Sequence, residues 1–148
     1  MREATIITRI RELSRELQSR HGYTRNKLLD LLNEEKTVPA TIFSTNLSPL
    51  RSLVTYLHDQ QGQEFQAIAA SIKRSYRSVW GAYHEQGLQA TPTAYVIPLS
   101  IFDHKKSVLE AVVSHLRKHY QLRFTQIGKL LHKDPRTIWT VWQRAQKK

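Results

Sequence analysis

The stretch PATIFSTNLSPLRSLVTYLHDQQGQEFQAIAASIKRSYRSVWGAY, residues 39–83, recurs without a gap as PLSIFDHKKSVLEAVVSHLRKHYQLRFTQIGKLLHKDPRTIWTVW, residues 98–142, a shift of 59. Under that shift Pro39 falls on Pro98, Ile42 on Ile101, Phe43 on Phe102, Ser48 on Ser107, Leu50 on Leu109, Val54 on Val113 and Leu57 on Leu116. Further along, Phe65 meets Phe124, Ile68 meets Ile127, Ala69 meets Gly128, Ile72 meets Leu131, Arg77 meets Arg136, Val79 meets Ile138, Trp80 meets Trp139 and Tyr83 meets Trp142. One register held over so many apolar and turn positions marks an internal repeat.

Each copy reads as a short extended arm, P-x-x-I-F, followed by three helices, because apolar residues then recur at spacings of three and four. Helices are expected near 48–60, 65–73 and 75–86, and near 107–119, 124–132 and 134–147. Their starts are marked: Ser107 with Glu110 makes a capping box, and Ser48 before Pro49 and Asp134 before Pro135 place a cap ahead of proline at the first helical position. Ser75 stands where Asp134 stands in the second copy. Residues 87–96, GLQATPTAYV, carry Gly, Pro and Thr but little charge, which suits a linker.

Ahead of the repeat, residues 1–37 read as a helical hairpin. One helix near 3–20 puts Ile6, Ile10, Leu13 and Leu17 on one face, and another near 24–35 carries Leu28, Leu29 and Leu32. A shift of 40 lays Ile10, Leu13, Leu17, Gly22, Leu28 and Leu32 on Leu50, Leu53, Leu57, Gly62, Ile68 and Ile72, so the hairpin is either a degenerate copy without its third helix or an unrelated one. The expected fold is all-α: two tandem trihelical helix-turn-helix modules, residues 38–86 and 97–148, preceded by this hairpin.

The second copy's FTQIGKLLHKDPRTIWTVWQRA, residues 124–145, has a short support helix, a tight turn and a capped helix with one polar side. It resembles region four of bacterial sigma factors and the LuxR-type regulators, with their pattern Y-x-x-I-A-x-x-L-x-x-S-x-x-T-V-x-x-x-x-x-R-A. Phe124, Ile127, Gly128, Leu131, Asp134, Thr137, Ile138, Arg144 and Ala145 occupy those positions. The resemblance covers about a third of each copy. It implies a trihelical domain whose third helix lies in the major groove of DNA. Lys133, and Arg74 in the first copy, replace the aliphatic turn residue usual in those families, and the P-x-x-I-F arm lies outside their pattern.

Physical reasoning selects the same helix face. Ile138, Val141, Trp142 and Ala145 form a core stripe and leave Arg136, Thr137, Thr140, Gln143, Arg144 and Lys147 outward. Arg136 suits a bidentate guanine contact, Thr140 and Gln143 shorter base contacts, and Lys133 or Lys147 phosphates. The matching candidates in the first copy are Arg74, Arg77 and Ser78. The competing reading of each is a solvated helix surface.

The chain carries 23 Lys and Arg against 12 Asp and Glu, a net +11, so an anionic partner is expected and double-stranded DNA is the first candidate. The excess is uneven. Residues 97–148 hold eleven basic against three acidic groups, +8; residues 38–96 hold four against three, +1; residues 1–37 hold eight against six, +2. The second module is therefore expected to anchor DNA, and the first module or residues 1–37 to serve docking or a homodimer. No run approaches the ~18 apolar residues of a spanning helix, and the N-terminus mixes Arg with Glu, so no membrane association and a cytoplasmic, nucleoid-associated location are expected.

With no cysteine, disulfides, thiolate catalysis and cysteine-based metal sites are excluded. His115 and His119 have the spacing of a two-histidine metal pair but no evident third ligand, and read as part of a basic surface with Arg117 and Lys118. No nucleophile with an adjacent base, glycine-rich phosphate loop or paired carboxylates is present, so no catalytic residues, cofactor, metal or enzymatic activity are expected. Trp80 and Trp139 are expected to pack in the core or on the P-x-x-I-F arm. The leading functional expectation is a sequence-specific transcriptional regulator. The alternatives are a protein-interaction scaffold, or an accessory protein of recombination or replication, using the same folds.

Overall fold

Polar caps fix where the helices begin. Ser48 Oγ accepts from Arg51 N at 3.3 Å, Ser75 Oγ from Ser78 N at 3.1 Å, Ser107 Oγ from Glu110 N at 3.1 Å and Asp134 Oδ1 from Arg136 N at 2.8 Å. Glu110 Oε1 returns the favour to Ser107 N at 2.9 Å, which completes the box. Each cap satisfies backbone donors that the first helical turn leaves unpaired.

The computed structural model describes residues 2–25, 28, 36–83, 88 and 90–148. These divide into two units, Met1–Lys36 and Thr37–Lys148. In the first, α1 runs Glu3–His21. The second helix expected near 24–35 lies for the most part outside the described residues. In the second unit the order is β1 (Thr37–Pro39), a 3-10 turn (Ala40–Ser44), α2 (Pro49–Asp59), α3 (Phe65–Ile72) and α4 (Tyr76–Ala82). The same order returns as β2 (Val96–Pro98), a 3-10 turn (Leu99–Ile101), α5 (Val108–Lys118), α6 (Phe124–Leu131) and α7 (Pro135–Gln146). The fold is mostly helical, as expected. Among the described residues no helix is long and apolar enough to cross a membrane.

The two copies agree down to single bonds. His58 Nδ1 meets the Gln63 carbonyl at 2.9 Å and stacks on Phe65 at 4.4 Å between ring centroids. At the matching positions Arg117 Nη1 donates to the Leu122 carbonyl at 2.9 Å, and its guanidinium lies 4.7 Å from the Phe124 ring centroid. The turn after the first helix is common to three places. Gly22, Gly62 and Gln121 have φ of +67°, +64° and +56°. The next amide donates back six residues in each: Tyr23 to Leu17 at 3.3 Å, Gln63 to Leu57 at 3.0 Å and Leu122 to Leu116 at 3.3 Å. This left-handed turn is a common helix ending and leaves both readings of residues 1–37 open.

The sequence reading leaves both arms unpaired; the structure pairs them with each other. β1 and β2 run antiparallel with Thr37 opposite Pro98, Val38 opposite Ile97 and Pro39 opposite Val96. The 3-10 turn after β1 packs on its own α2 and on α6 of the second repeat, while the one after β2 packs on its own α5 and on α3 of the first. Phe43 and Phe102, the aromatic ends of the two P-x-x-I-F arms, are buried. They join Leu53, Leu57, Ile68, Ile72 and Val79 with Leu116, Ile127, Leu131 and Ile138 in one cluster. The connector is tied to the arm as well: Thr41 Oγ1 donates to the Thr91 carbonyl at 2.7 Å, and Ala40 N to the Tyr95 carbonyl at 3.0 Å.

An arm that closes the other repeat's core makes residues 37–148 one cooperative body. Phe43→Ala should cost about 3 to 5 kcal/mol in urea unfolding. Hydrogen exchange of the destabilised variant should lose protection in α6, in the repeat that the substitution does not touch. Protection lost only in α2 to α4 would show that the repeats fold separately.

Candidate nucleic-acid interface

The outer face of α7 is built by its inner one. Ile138, Val141 and Ala145 are buried and Trp142 is half-buried. Helical geometry then carries Arg136, Thr140 and Lys147 to the far side, where they are exposed, with Gln143 half-buried beside them. Thr137 and Arg144 are exposed on one flank. Thr140 Oγ1 donates to the Arg136 carbonyl at 3.0 Å, so its hydroxyl proton is spent on the helix and its methyl and oxygen lone pairs remain outward.

The turn into α7 is tight. His132 is left-handed, with φ +53°, and Lys133 N donates to the Gly128 carbonyl at 2.8 Å. A Cβ on Gly128 would stand 2.6 Å from the Lys133 carbonyl oxygen, so the absence of a side chain sets how closely α6 approaches the start of α7. Lys133 is half-buried at this corner.

All three carboxylates of the second repeat are engaged locally. Asp103 Oδ1 accepts from the backbone N–H groups of Lys105 at 2.9 Å and Lys106 at 3.0 Å, and these bonds hold its carboxyl below the ordinary value. Asp134 caps α7. Glu110, 4% exposed, accepts from Lys148 Nζ at 2.7 Å and from Ser107. Burial alone would raise its pKa; the Lys148 ammonium and the Ser107 donors outweigh burial and lower it. Among the described residues no carboxylate pairs with Arg136, Arg144 or Lys147.

Comparison of the whole chain with family models, curated proteins and solved structures found no match.

The first repeat presents a smaller face. α4 has seven residues against twelve in α7, with Arg77 and Ser78 exposed. Ser78 Oγ accepts from Ser75 Oγ at 2.8 Å and so belongs to the cap. Arg74 departs from its expected outward role. Its Nη2 donates 2.9 Å to the Lys106 carbonyl of the second repeat, and its Nε is buried. This corner uses the long Arg side chain to fasten the two repeats.

One further expectation is corrected. Trp80 and Trp139 are 63% and 52% exposed, not packed in the core or on an arm. Each follows a buried residue, Val79 or Ile138, and one helical step of about 100° swings it out beside the exposed face of its helix. The arms that were expected to cover them are occupied by helices of the opposite repeat. His115 and His119 stack on each other at 4.8 Å, with Tyr120 edge-on to both, and His119 is exposed beside Lys118. Lys118 lies over the Trp142 ring at 5.6 Å. Among the described residues no cluster of three or more potential metal ligands exists.

The Lys148–Glu110 contact pins the end of α7 to α5 and carries a pH signature. Glu110 titrates lower folded than unfolded, so its contribution is present above the unfolded value of 4.5 and is lost as pH falls through the lowered folded value. Urea unfolding followed from about pH 6 to about pH 3 should show stability falling with acid, with a shallower fall in Glu110→Gln. Equal slopes would remove Glu110 from that role.

Proposed function

We propose that the protein is a double-stranded DNA-binding regulator in which α5 to α7 form a helix-turn-helix module that sets α7 in the major groove. A helix with its side chains is about 10 to 12 Å across and the groove about 12 Å wide, so the fit is general. The observation that carries the reading is the outer face of α7: Arg136, Thr140, Gln143 and Lys147 side by side, with the neighbouring carboxylates committed elsewhere. The residues 97–148 that hold this face carry +8 of the chain's +11. Arg136 serves as the base-reading guanidinium, Gln143 as the amide contact, and Lys133, Arg144 and Lys147 as phosphate partners. Arg77 provides the matching contact in the first repeat.

A polarisation titration on duplex DNA should find affinity falling about a hundredfold between about 50 and 200 mM salt, the loss expected for about four phosphate contacts. Arg136→Ala should cost about 1 to 3 kcal/mol on a selected site and relax preference at one position. Binding that ignores salt, or an Arg136→Ala variant with unchanged affinity, would dismiss the assignment.

A second reading rests on α1. Ile6, Ile7, Ile10 and Leu13 are all more than 40% exposed there, an apolar row suited to a second copy or another protein. Light scattering should then give a dimer for the whole chain and a monomer for Ile10→Glu. A monomeric wild-type chain would rule out self-association through this row.

A further inference from the structure

The two repeats follow one another in sequence but are reciprocal in space. In the β pair, Val38 faces Ile97, its own counterpart under the 59-residue shift. The flanking pairs, Thr37 with Pro98 and Pro39 with Val96, exchange places under the same shift. The arm exchange is likewise mutual, first arm on α6 and second arm on α3. Helix α2 packs on its counterpart α5, and the cleft at their starts is lined by Ser48, Pro49 and Leu50 together with Ser107, Val108 and Leu109. Where contacts from i to j are matched by contacts from j to i, as in the β pair and the two arms, the relation is isologous, a local two-fold axis. Here the axis runs through the Val38–Ile97 pair. It relates α4 to α7 by rotation, whereas a tandem sequence alone would suggest two modules repeated head to tail.

We propose that a single chain reads an inverted and unequal pair of half-sites on one duplex, with α7 on the strong half and α4 on the weak half. This rests on the DNA-binding reading above. A duplex backbone has two-fold axes of its own, so two helices related by such an axis meet base sequences that run in opposite senses. The inequality follows from composition: α7 belongs to a repeat of charge +8 and α4 to one of charge +1. With seven residues, α4 also offers less than two-thirds of the length of α7. Its exposed Arg77 and Trp80 leave it able to contact DNA, while Arg74 is held at the junction between repeats.

The test uses the full chain. Duplexes selected from a random pool should contain two blocks in inverted orientation, and native mass spectrometry should find one chain per duplex. Changing a base pair in the block read by α7 should lower affinity about 5- to 150-fold, and a change in the other block should cost less. Reversing the weaker block into a direct repeat should remove its contribution. A Val38→Cys, Ile97→Cys variant, in a chain without other cysteines, should oxidise to an internal disulfide and keep the same site preference. Direct-repeat blocks, one block only, or two chains on an inverted site would overturn the proposal while leaving DNA binding standing. A disulfide that forms within the chain but abolishes site preference would overturn it too. Absence of binding even at low salt would dismiss the DNA-binding reading and this inference with it.

Discussion

Neither repeat closes its own core. The arm that precedes each set of three helices reaches past its own first helix to the middle helix of the other set, so Phe43 and Phe102 complete a cluster shared by both. Small three-helix modules bury little apolar surface, and isolated units of that size are marginal. Exchanging arms joins two such cores into one continuous cluster. The antiparallel pair of β1 and β2 follows from the same exchange, since two arms crossing in opposite directions bring their extended backbones alongside. The helix starts, the turns and the outward faces of α4 and α7 are all oriented by this shared centre.

The division of labour between the repeats also begins there. Equivalent positions hold equivalent jobs with different chemistry: His58 and Arg117 both bond a carbonyl five residues on, and both lie against an aromatic ring. Asp59 accepts from the Tyr83 hydroxyl at 2.7 Å, whereas its counterpart Lys118 sits over the ring of Trp142. The second copy thus exchanges an acid for a base without disturbing the packing underneath. The two repeats share their architecture but not their charge: one holds most of the excess positive charge while the other is nearly neutral.

Local features of this fold are readable from sequence, and long-range ones are not. Ser107 with Glu110, and Asp134 ahead of Pro135, announce helix starts because a cap is satisfied within three residues of itself. The apolar spacing of Ile138, Val141 and Ala145 likewise gives the buried side of α7. The same spacing places Trp139 one step past Ile138 and therefore outward, against the usual tendency of a large aromatic to be buried. The arms were harder. Pro39 to Phe43 predicts an extended entry, yet nothing within it specifies that its burial partner is the helix Phe124–Leu131, some eighty positions further on. Arg74 misled for a similar reason, since its acceptor, the Lys106 carbonyl, lies in the opposite repeat.

Arm exchange of this kind is saturated at two. Among the described residues of 37–148 each arm is donated to the middle helix of the opposite repeat, so both arms and both receiving helices are used within the chain. Open-ended exchange between molecules is how domain-swapped fibres grow; a chain that satisfies the exchange internally has a built-in terminus to that growth.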